Sequence, residues 1–246
     1  MDSELQAGLV VWDVDGTLVP SDVRWVQRAI AATYQLPEDG VKFDPKRVHG
    51  YTDEPIVIET AINSGVPPEV AENGILRFHR EIARVLAESH DELVRIITPY
   101  PGAAESIESL SLKGFIQTVL TGNIYSTAET KLKVAGLDRY LDLTIGAFGS
   151  DARDRSKLPA VLSRRFAERQ GHPLDPQKTV VIGDSPNDIA CARHAGFHVI
   201  AVAQRMERSE LESHHPDMVI DRLEPGMVVK AVGSLIREIS DRSLIS

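Results

Sequence analysis

Short apolar runs alternate with stretches of helical spacing along most of the chain. Apolar runs that end in an acid, a glycine or another turn former are typical of buried parallel strands. These runs predict six strands, at residues 9–12, 115–120, 143–148, 178–182, 199–202 and 218–220. Because helical patterns lie between the runs, the sequence predicts an α/β fold with a doubly wound parallel sheet.

Apolar residues at three- and four-residue spacing predict the helices. They are expected at residues 22–35, 53–64, 67–90, 102–112, 125–135, 157–171 and 225–240. Residues 20–99 contain no convincing buried strand, and 99–102 (Pro-Tyr-Pro-Gly) have the composition of a hinge. We therefore predict an all-helical cap domain at 20–99, here called the insert, within an α/β core domain formed by 1–19 and 100–246.

Composition and charge narrow the classes of function. The chain has 246 residues, a formal net charge of -9 and a pI near 5.4, which argues against nucleic acid or an anionic membrane as a partner. No apolar run reaches the length of a membrane span, and the N-terminus lacks the basic region of a secretory signal. The single cysteine, Cys191, excludes an intrachain disulfide and a thiolate metal cluster. We expect a cytoplasmic protein, either a monomer or a homodimer.

Two acids follow the first strand directly. Asp13 and Asp15 are separated by one residue and precede Gly16, at the strand end where open α/β sheets bind ligands. Carboxylates this close do not both ionise freely unless a cation lies between them, which favours a shared metal or an acid/base pair. The alternative is a plain Asx-type turn.

A small polar turn follows the strand at 115–120. The hydroxyl of Thr121 and the backbone amides at Gly122 and Asn123 are groups that hold a phosphate oxygen. The same three residues also occur in ordinary turns, so this stretch alone does not indicate a site.

A third strand end carries two more acids. Asp184 follows a buried run and Gly183, and Asp188 lies four residues further on at a helix start. Asp188 is also the kind of charge that a helix dipole favours. Together Asp13, Asp15 and Asp184 supply hard oxygen ligands suited to Mg²⁺, which also binds substrate phosphate.

Such a site needs a cation to balance the phosphate. Residues 153–158 (Arg-Asp-Arg-Ser-Lys-Leu) enter the helix that precedes the Gly-Asp strand. Charge runs of this kind are usually solvated, but one long side chain at a helix entry can reach a strand end. Lys157 is the first candidate and Arg155 the second.

These four stretches, in this order, resemble the signatures of the haloacid dehalogenase-like hydrolase superfamily in its phosphatase branch. The insert is similar to the helical first-type cap of phosphoglycolate-phosphatase-like members. The resemblance implies a Rossmann-like core and a Mg²⁺-dependent phosphatase of a small phosphorylated metabolite, with phosphoglycolate-like substrates as the first guess. The sequence departs from the family pattern at the third signature, residues 153–158, where the usual lysine-proline pair is missing.

The resemblance also implies roles for individual residues. Asp13 would be the nucleophile that forms an aspartyl-phosphate, and Asp15 the general acid and base. The metal would be held by Asp13, by Asp15 through its backbone carbonyl, and by Asp184, with support from Asp188. Among the remaining candidates, Thr121, Gly122 and Asn123 would hold the phosphoryl group, and Lys157 or Arg155 would neutralise it.

Substrate choice is expected to lie in the insert. The loop at 46–53 resembles the specificity loop of this cap type and offers Arg47, His49 and Thr52 as substrate-binding residues. A plain surface loop before a capped helix is the alternative. For the whole chain, the alternatives to a phosphatase are a phosphomutase of the same fold and a non-catalytic phospho-binding module.

Overall fold

Five parallel strands form one sheet at the centre of the α/β core. The computed structural model describes residues 8–44 and 50–242, with side chains up to residue 236. Within these residues the strand order is β2-β1-β3-β4-β5. The strands are β1 (Leu9–Trp12), β2 (Ile116–Val119), β3 (Thr179–Gly183), β4 (His198–Val202) and β5 (Met218–Ile220).

Both faces of the sheet are covered. Along β1, Val10 and Trp12 pack into one buried apolar cluster, while Leu9 and Val11 pack into a second cluster on the opposite face. This follows from the alternation of side chains along a strand and explains why β1 is apolar throughout. The prediction of a doubly wound parallel α/β sheet is confirmed.

The predicted strand at 143–148 is wrong. Ala147 makes only an isolated bridge to Leu120 at the sheet edge, and residues 142–145 form turns in which Asp142 accepts hydrogen bonds from Thr144. Ile145 and Ala147 are nevertheless buried. The residues of this run are therefore apolar because they are buried beneath helices, and they do not form a strand of the sheet.

Helices of the core lie where the pattern predicts them, with one addition and one extension. The short helix α10 was not expected, and the last helix runs to residue 242. The helices of the core are α6 (Ala103–Leu112), α7 (Tyr125–Val134), α8 (Leu158–Gln170), α9 (Pro186–His194), α10 (Arg208–Ser213) and α11 (Pro225–Arg242).

The described part of the insert is helical, as predicted. The expected long helix at 67–90 is instead two helices that meet at Gly74, where a Cβ would lie 2.4 Å from the ring of Tyr34. The tyrosine hydroxyl donates to the carbonyl of Ala71 at 2.6 Å. The helices of the insert are α1 (Arg24–Tyr34), α2 (Asp53–Asn63), α3 (Pro68–Asn73), α4 (Ile75–Glu88) and α5 (His90–Ile96).

The insert leaves and rejoins the core at neighbouring points. The amide of Tyr100 donates to the carbonyl of Leu18 at 2.9 Å, which holds the two connecting segments side by side above the end of β1. This attachment places the insert over the carboxyl ends of the strands. Among the described residues, no helix has the length and apolar character that crossing a bilayer requires.

Candidate active site

The acids that follow β1 and the acids that follow β3 meet at the carboxyl edge of the sheet. Trp12 pairs with Ile182 in the ladder between β1 and β3. The next amide, that of Asp13, donates to the carbonyl of Ile182 at 2.9 Å. Asp184 leaves the adjacent strand two residues later. Parallel pairing in this register therefore brings both carboxylates to one place.

Three carboxylates form a buried cluster there. Asp13, Asp184 and Asp188 each offer an oxygen, and these oxygens lie within 4.8 Å of one another. Asp188 is fixed at the start of α9 by a capping box, because its Oδ2 accepts from the amide of Ser185 at 3.0 Å and from its hydroxyl at 2.6 Å. Its other oxygen faces the cluster.

Burial and the charges of neighbouring acids raise the pKa values of two members of this cluster, Asp13 and Asp184. Burial raises the pKa of Asp13 well above its ordinary value, and the nearby charge of Asp188 adds to the effect, while Arg155 opposes it. Burial, followed by the charge of Asp188, raises the pKa of Asp184 to about 6, against the lowering effect of Arg205. The positive charge nearby does not fully compensate three ionised carboxylates. Their hard oxygens therefore fit a divalent cation such as Mg²⁺.

Asp15 lies outside the carboxylate cluster. Its two oxygens accept from Nζ of Lys131 at 2.7 and 2.6 Å, and Nδ2 of Asn123 donates to Oδ2 at 2.9 Å. The predicted acid pair is therefore divided, since Asp13 faces the other buried acids and Asp15 faces a lysine. The carboxylate of Asp15 is therefore not part of the cluster of acids that could share a metal ion.

Of the two cations predicted for the site, Arg155 is the one that reaches the cluster. Its Nη2 lies 3.0 Å from Oδ1 of Asp13 and also bonds Oδ1 of Asp188, and its side chain is 10% exposed. The neighbouring acids raise the pKa of this guanidinium further. Lys157, the first candidate from the sequence, is exposed at the start of α8. The reason is the short 3-10 turn at Arg155–Lys157, which directs the two side chains to different sides.

The turn after β2 lines the same cleft. Thr121 is buried, and its hydroxyl accepts from the amide of Asn123 at 3.3 Å. Gly122 is required for a close approach, because a Cβ there would lie 1.8 Å from the carbonyl oxygen of Tyr51 in the insert. The predicted phosphate-binding turn is thus also the surface on which the insert rests.

Of the three substrate-binding candidates in the insert, Arg47 and His49 lie outside the described residues. Thr52 is buried and its hydroxyl donates to the backbone carbonyl of Arg153 in the core. The structure therefore places Thr52 in a contact between the insert and the core, and not in the cleft itself.

Three charged residues of this region were not predicted. Lys131 on α7 is 3% exposed and holds Asp15. Asp53, at the start of α2, is buried with its Oδ2 accepting from the amide of Ile124 at 2.9 Å, and burial raises its pKa to about 6. Nε of Arg205 lies 2.7 Å from Oδ2 of Asp184.

The sequence contains a signal for only one of them. Within α7, Lys131 shares its face with the buried residues Thr127 and Ala128, whereas Lys133 lies on the exposed face. A lysine at a buried helical position requires a partner. Asp53 and Arg205 have no comparable signal, since acids are common at helix starts and Arg205 lies in a turn.

A cleft with about 550 Å³ of empty volume opens between these groups and the insert. Its core side carries the acids, the polar turn and two cations. Its insert side carries aliphatic and aromatic side chains together with acids. Residues lining it include Asp13, Asp15, Thr121, Asn123, Lys131 and Arg155 from the core, and Asp22, Val26, Phe43, Tyr51, Asp53 and Ile56 from the insert.

Comparison with known families identifies the chain. The family model described as haloacid dehalogenase-like hydrolase matches residues 10–202. The protein belongs to this family. The resemblance predicted from the motifs is thereby confirmed, and this haloacid dehalogenase-like protein is an enzyme of the hydrolase class.

Two curated relatives of this hydrolase cover most of its length. It is 28% identical over 239 residues to "Probable phosphatase IndB" of Dickeya dadantii, a match that spans 93% of this chain and 95% of that protein. It is 25% identical over 234 residues to a phosphoglycolate phosphatase of Aquifex aeolicus, spanning 94% and 99% of the two chains. Both relatives are named phosphatases, as the phosphatase-branch prediction requires.

Solved structures share the fold. A predicted phosphoglycolate phosphatase from Haemophilus somnus matches with a TM-score of 0.65 at 21% identity, covering 92% of this chain and 99% of that one. CbbY from Rhodobacter sphaeroides in complex with phosphate matches with a TM-score of 0.64 at 19% identity, covering 88% and 95%. At these identities the likeness establishes the architecture and nothing finer.

Proposed function

We propose that this enzyme is a Mg²⁺-dependent phosphatase that hydrolyses a small phosphate monoester through a phosphoryl group carried on Asp13. The single observation that carries the proposal is the convergence of Asp13, Asp184 and Asp188 within 4.8 Å, with Arg155 bonded to two of them. A buried set of three acids with one shared cation is suited to bind a divalent ion and a phosphoryl group together.

The residues present fit the metal. Asp13 and Asp184 would hold it with their carboxylates, Asp15 with its backbone carbonyl, and Asp188 would support them. When bound, Mg²⁺ supplies positive charge that stabilises the phosphoryl oxygens as the reaction proceeds. The raised pKa values of Asp13 and Asp184 support this assignment, because a bound cation compensates the cost of ionising both.

In the first step, a carboxylate oxygen of Asp13 forms a bond to phosphorus while the bond from phosphorus to the leaving oxygen breaks. Thr121 and the amide of Asn123 hold the phosphoryl oxygens, and the guanidinium of Arg155 neutralises them. Arg155 takes this role in place of Lys157, because it alone of the two reaches Asp13. Positioning and charge balance of this kind supply most of the catalysis in phosphoryl transfer.

Asp15 carries the proton in both steps. As an acid it protonates the leaving oxygen, and as a carboxylate it then takes a proton from the water that attacks phosphorus and frees Asp13. Both oxygens of Asp15 accept from Nζ of Lys131, and Nδ2 of Asn123 donates to Oδ2. Lys131 is therefore assigned to stabilise the base of the second step.

A small phosphorylated metabolite is the substrate class that we propose. It would lie in the cleft between the acids of the core and apolar groups of the insert such as Val26 and Phe43. Phosphoglycolate is the first compound to test, since the relative in Aquifex aeolicus is named for it.

The test is release of inorganic phosphate from an aryl phosphate and from phosphoglycolate, with Mg²⁺ and with a chelator. We expect turnover only with the metal, and loss of turnover in Asp13→Asn. Asp39→Asn, which changes an exposed acid of the insert, is the matched control and retains activity. Equal turnover in Asp13→Asn and wild type would refute the nucleophilic role.

A further inference from the structure

Three consecutive residues at the start of α2 bond the core. The hydroxyl of Thr52 donates to the backbone carbonyl of Arg153. The amide of Asp53 donates to the carbonyl of Gly122 at 2.8 Å, and its side chain accepts from the amide of Ile124 at 2.9 Å. These three residues, Thr52, Asp53 and Glu54, are called the clamp below. The clamp reaches both the turn after β2 and the loop that carries Arg155.

Arg153 is the core residue that the clamp holds most extensively. Its Nε lies 2.9 Å from Oε2 of Glu54, and its Nη1 bonds Glu72 of α3. Glu54 is only 14% exposed, and its other oxygen lies 3.0 Å from Nε2 of His79 on α4. The side chain of Arg153 thus ties its loop to two helices of the insert, α2 and α3, and Glu54 links this pair to α4.

Arg155 lies two residues further along the same loop. Its guanidinium turns the opposite way, into the acid cluster, where it bonds Asp13 and Asp188. The loop is anchored on the core nearby, where the carbonyl of Arg155 accepts from Sγ of Cys191 at 3.3 Å and Asp154 caps the turn through the amide of Ser156. Arg153 faces the insert instead, so the loop is held by the core at Arg155 and by the insert at Arg153.

We propose that Arg153 is a positioning residue that couples docking of the insert to placement of the Arg155 guanidinium against the nucleophile. The inference rests on the proposed function for its catalytic consequence. Opening of the insert breaks the contacts of Arg153 with Glu54 and Glu72 and frees the loop on the side opposite to the acids. Closure of the insert over the substrate would then also place Arg155 against Asp13. Hydrolysis would be slow while the insert is open.

The test is Arg153→Gln, with Arg164→Gln as the matched control. Arg164 is an exposed arginine of α8 that faces a single glutamate at 3.9 Å within its own helix. We measure amide hydrogen exchange at Asp53 and Ile124, whose amides donate across the boundary, and phosphate release from an aryl phosphate. Exchange needs no turnover, so it tests the clamp even if the proposed phosphatase activity fails.

In Arg153→Gln we expect exchange at both amides to accelerate about tenfold, kcat to fall about tenfold, and exchange in β1 and β3 to stay unchanged. Glu54→Gln breaks the same ion pair from the insert and gives the same result. The effect of the double variant is expected to be smaller than the sum of the two single effects, because both single variants remove the Arg153–Glu54 ion pair. Unchanged exchange at the two amides, or an equal effect in Arg164→Gln, would overturn the proposal.

Discussion

Arg155→Met is the substitution whose consequences the structure predicts in most detail. The guanidinium lies 3.0 Å from Asp13, also bonds Asp188, and is 10% exposed. Methionine has a similar length but no charge, so the variant leaves two buried carboxylates without their shared partner. Removing one member of a buried ion pair costs about 3–5 kcal/mol. We expect the free energy of unfolding to fall by that amount at pH 7 without metal.

A divalent cation offsets part of this loss. With the guanidinium gone, Asp13 and Asp188 lose the competing positive charge, and the cluster is expected to bind the cation more tightly. A ligand at a hundred times its dissociation constant stabilises a protein by about 2.7 kcal/mol. Mg²⁺ is therefore expected to stabilise Arg155→Met more than it stabilises the wild type. Turnover with Mg²⁺ falls about 10²–10³-fold, the usual effect of removing one group that stabilises charge in the transition state.

Urea unfolding and phosphate release, each with and without Mg²⁺, check these values. Lys157→Met is the control, because this lysine is exposed and its replacement is expected to change stability by less than about 0.5 kcal/mol. The reasoning is refuted if Lys157→Met loses activity while Arg155→Met keeps it. It is also refuted if the two variants are equally stable without metal.

Three further predictions test neighbouring parts of the site. Lys131→Met leaves Asp15 without its cation and is expected to cost about 3 kcal/mol in urea unfolding, whereas Lys133→Met on the exposed face of α7 stays within about 0.5 kcal/mol. The pKa of Asp53 is raised to about 6 in the folded protein, so its contribution to stability is present at pH 4 and is lost as the pH rises to 6. Relative to Asp53→Asn, unfolding at a series of pH values is expected to show a decline of about 2 kcal/mol in the wild type over this range, and parallel curves would contradict it. Gly122→Ala places a Cβ 1.8 Å from a backbone oxygen of the insert, which we expect to lower phosphate release more than about tenfold while the core still unfolds cooperatively.

The strand ends were predictable because they depend on one local rule. An apolar run that stops at an acid predicts a parallel strand whose carboxyl end faces a ligand, and Asp13 and Asp184 follow that rule. Their meeting then follows from the parallel pairing of β1 with β3. The same rule failed at 143–148, because burial under helices produces an apolar run without a strand.

The choice between cations was not predictable from the sequence. Arg155 and Lys157 are two residues apart, and only the direction of a short 3-10 turn separates them. Asp53 and Arg205 reach the site from segments distant in the chain, so their roles depend on how the insert and the turn after β4 pack. Contacts of this kind between distant segments produce no periodic pattern in the sequence, so they cannot be predicted from it.

Trapping the phosphoryl group on the enzyme tests the central claim most directly. The enzyme is mixed with a ³²P-labelled substrate and Mg²⁺, quenched in acid within one turnover, and digested for peptide mapping. The account predicts label on the peptide that carries Asp13, and no label in Asp13→Asn or with a chelator present. Full turnover with that peptide unlabelled, or with the label on another residue, would contradict it.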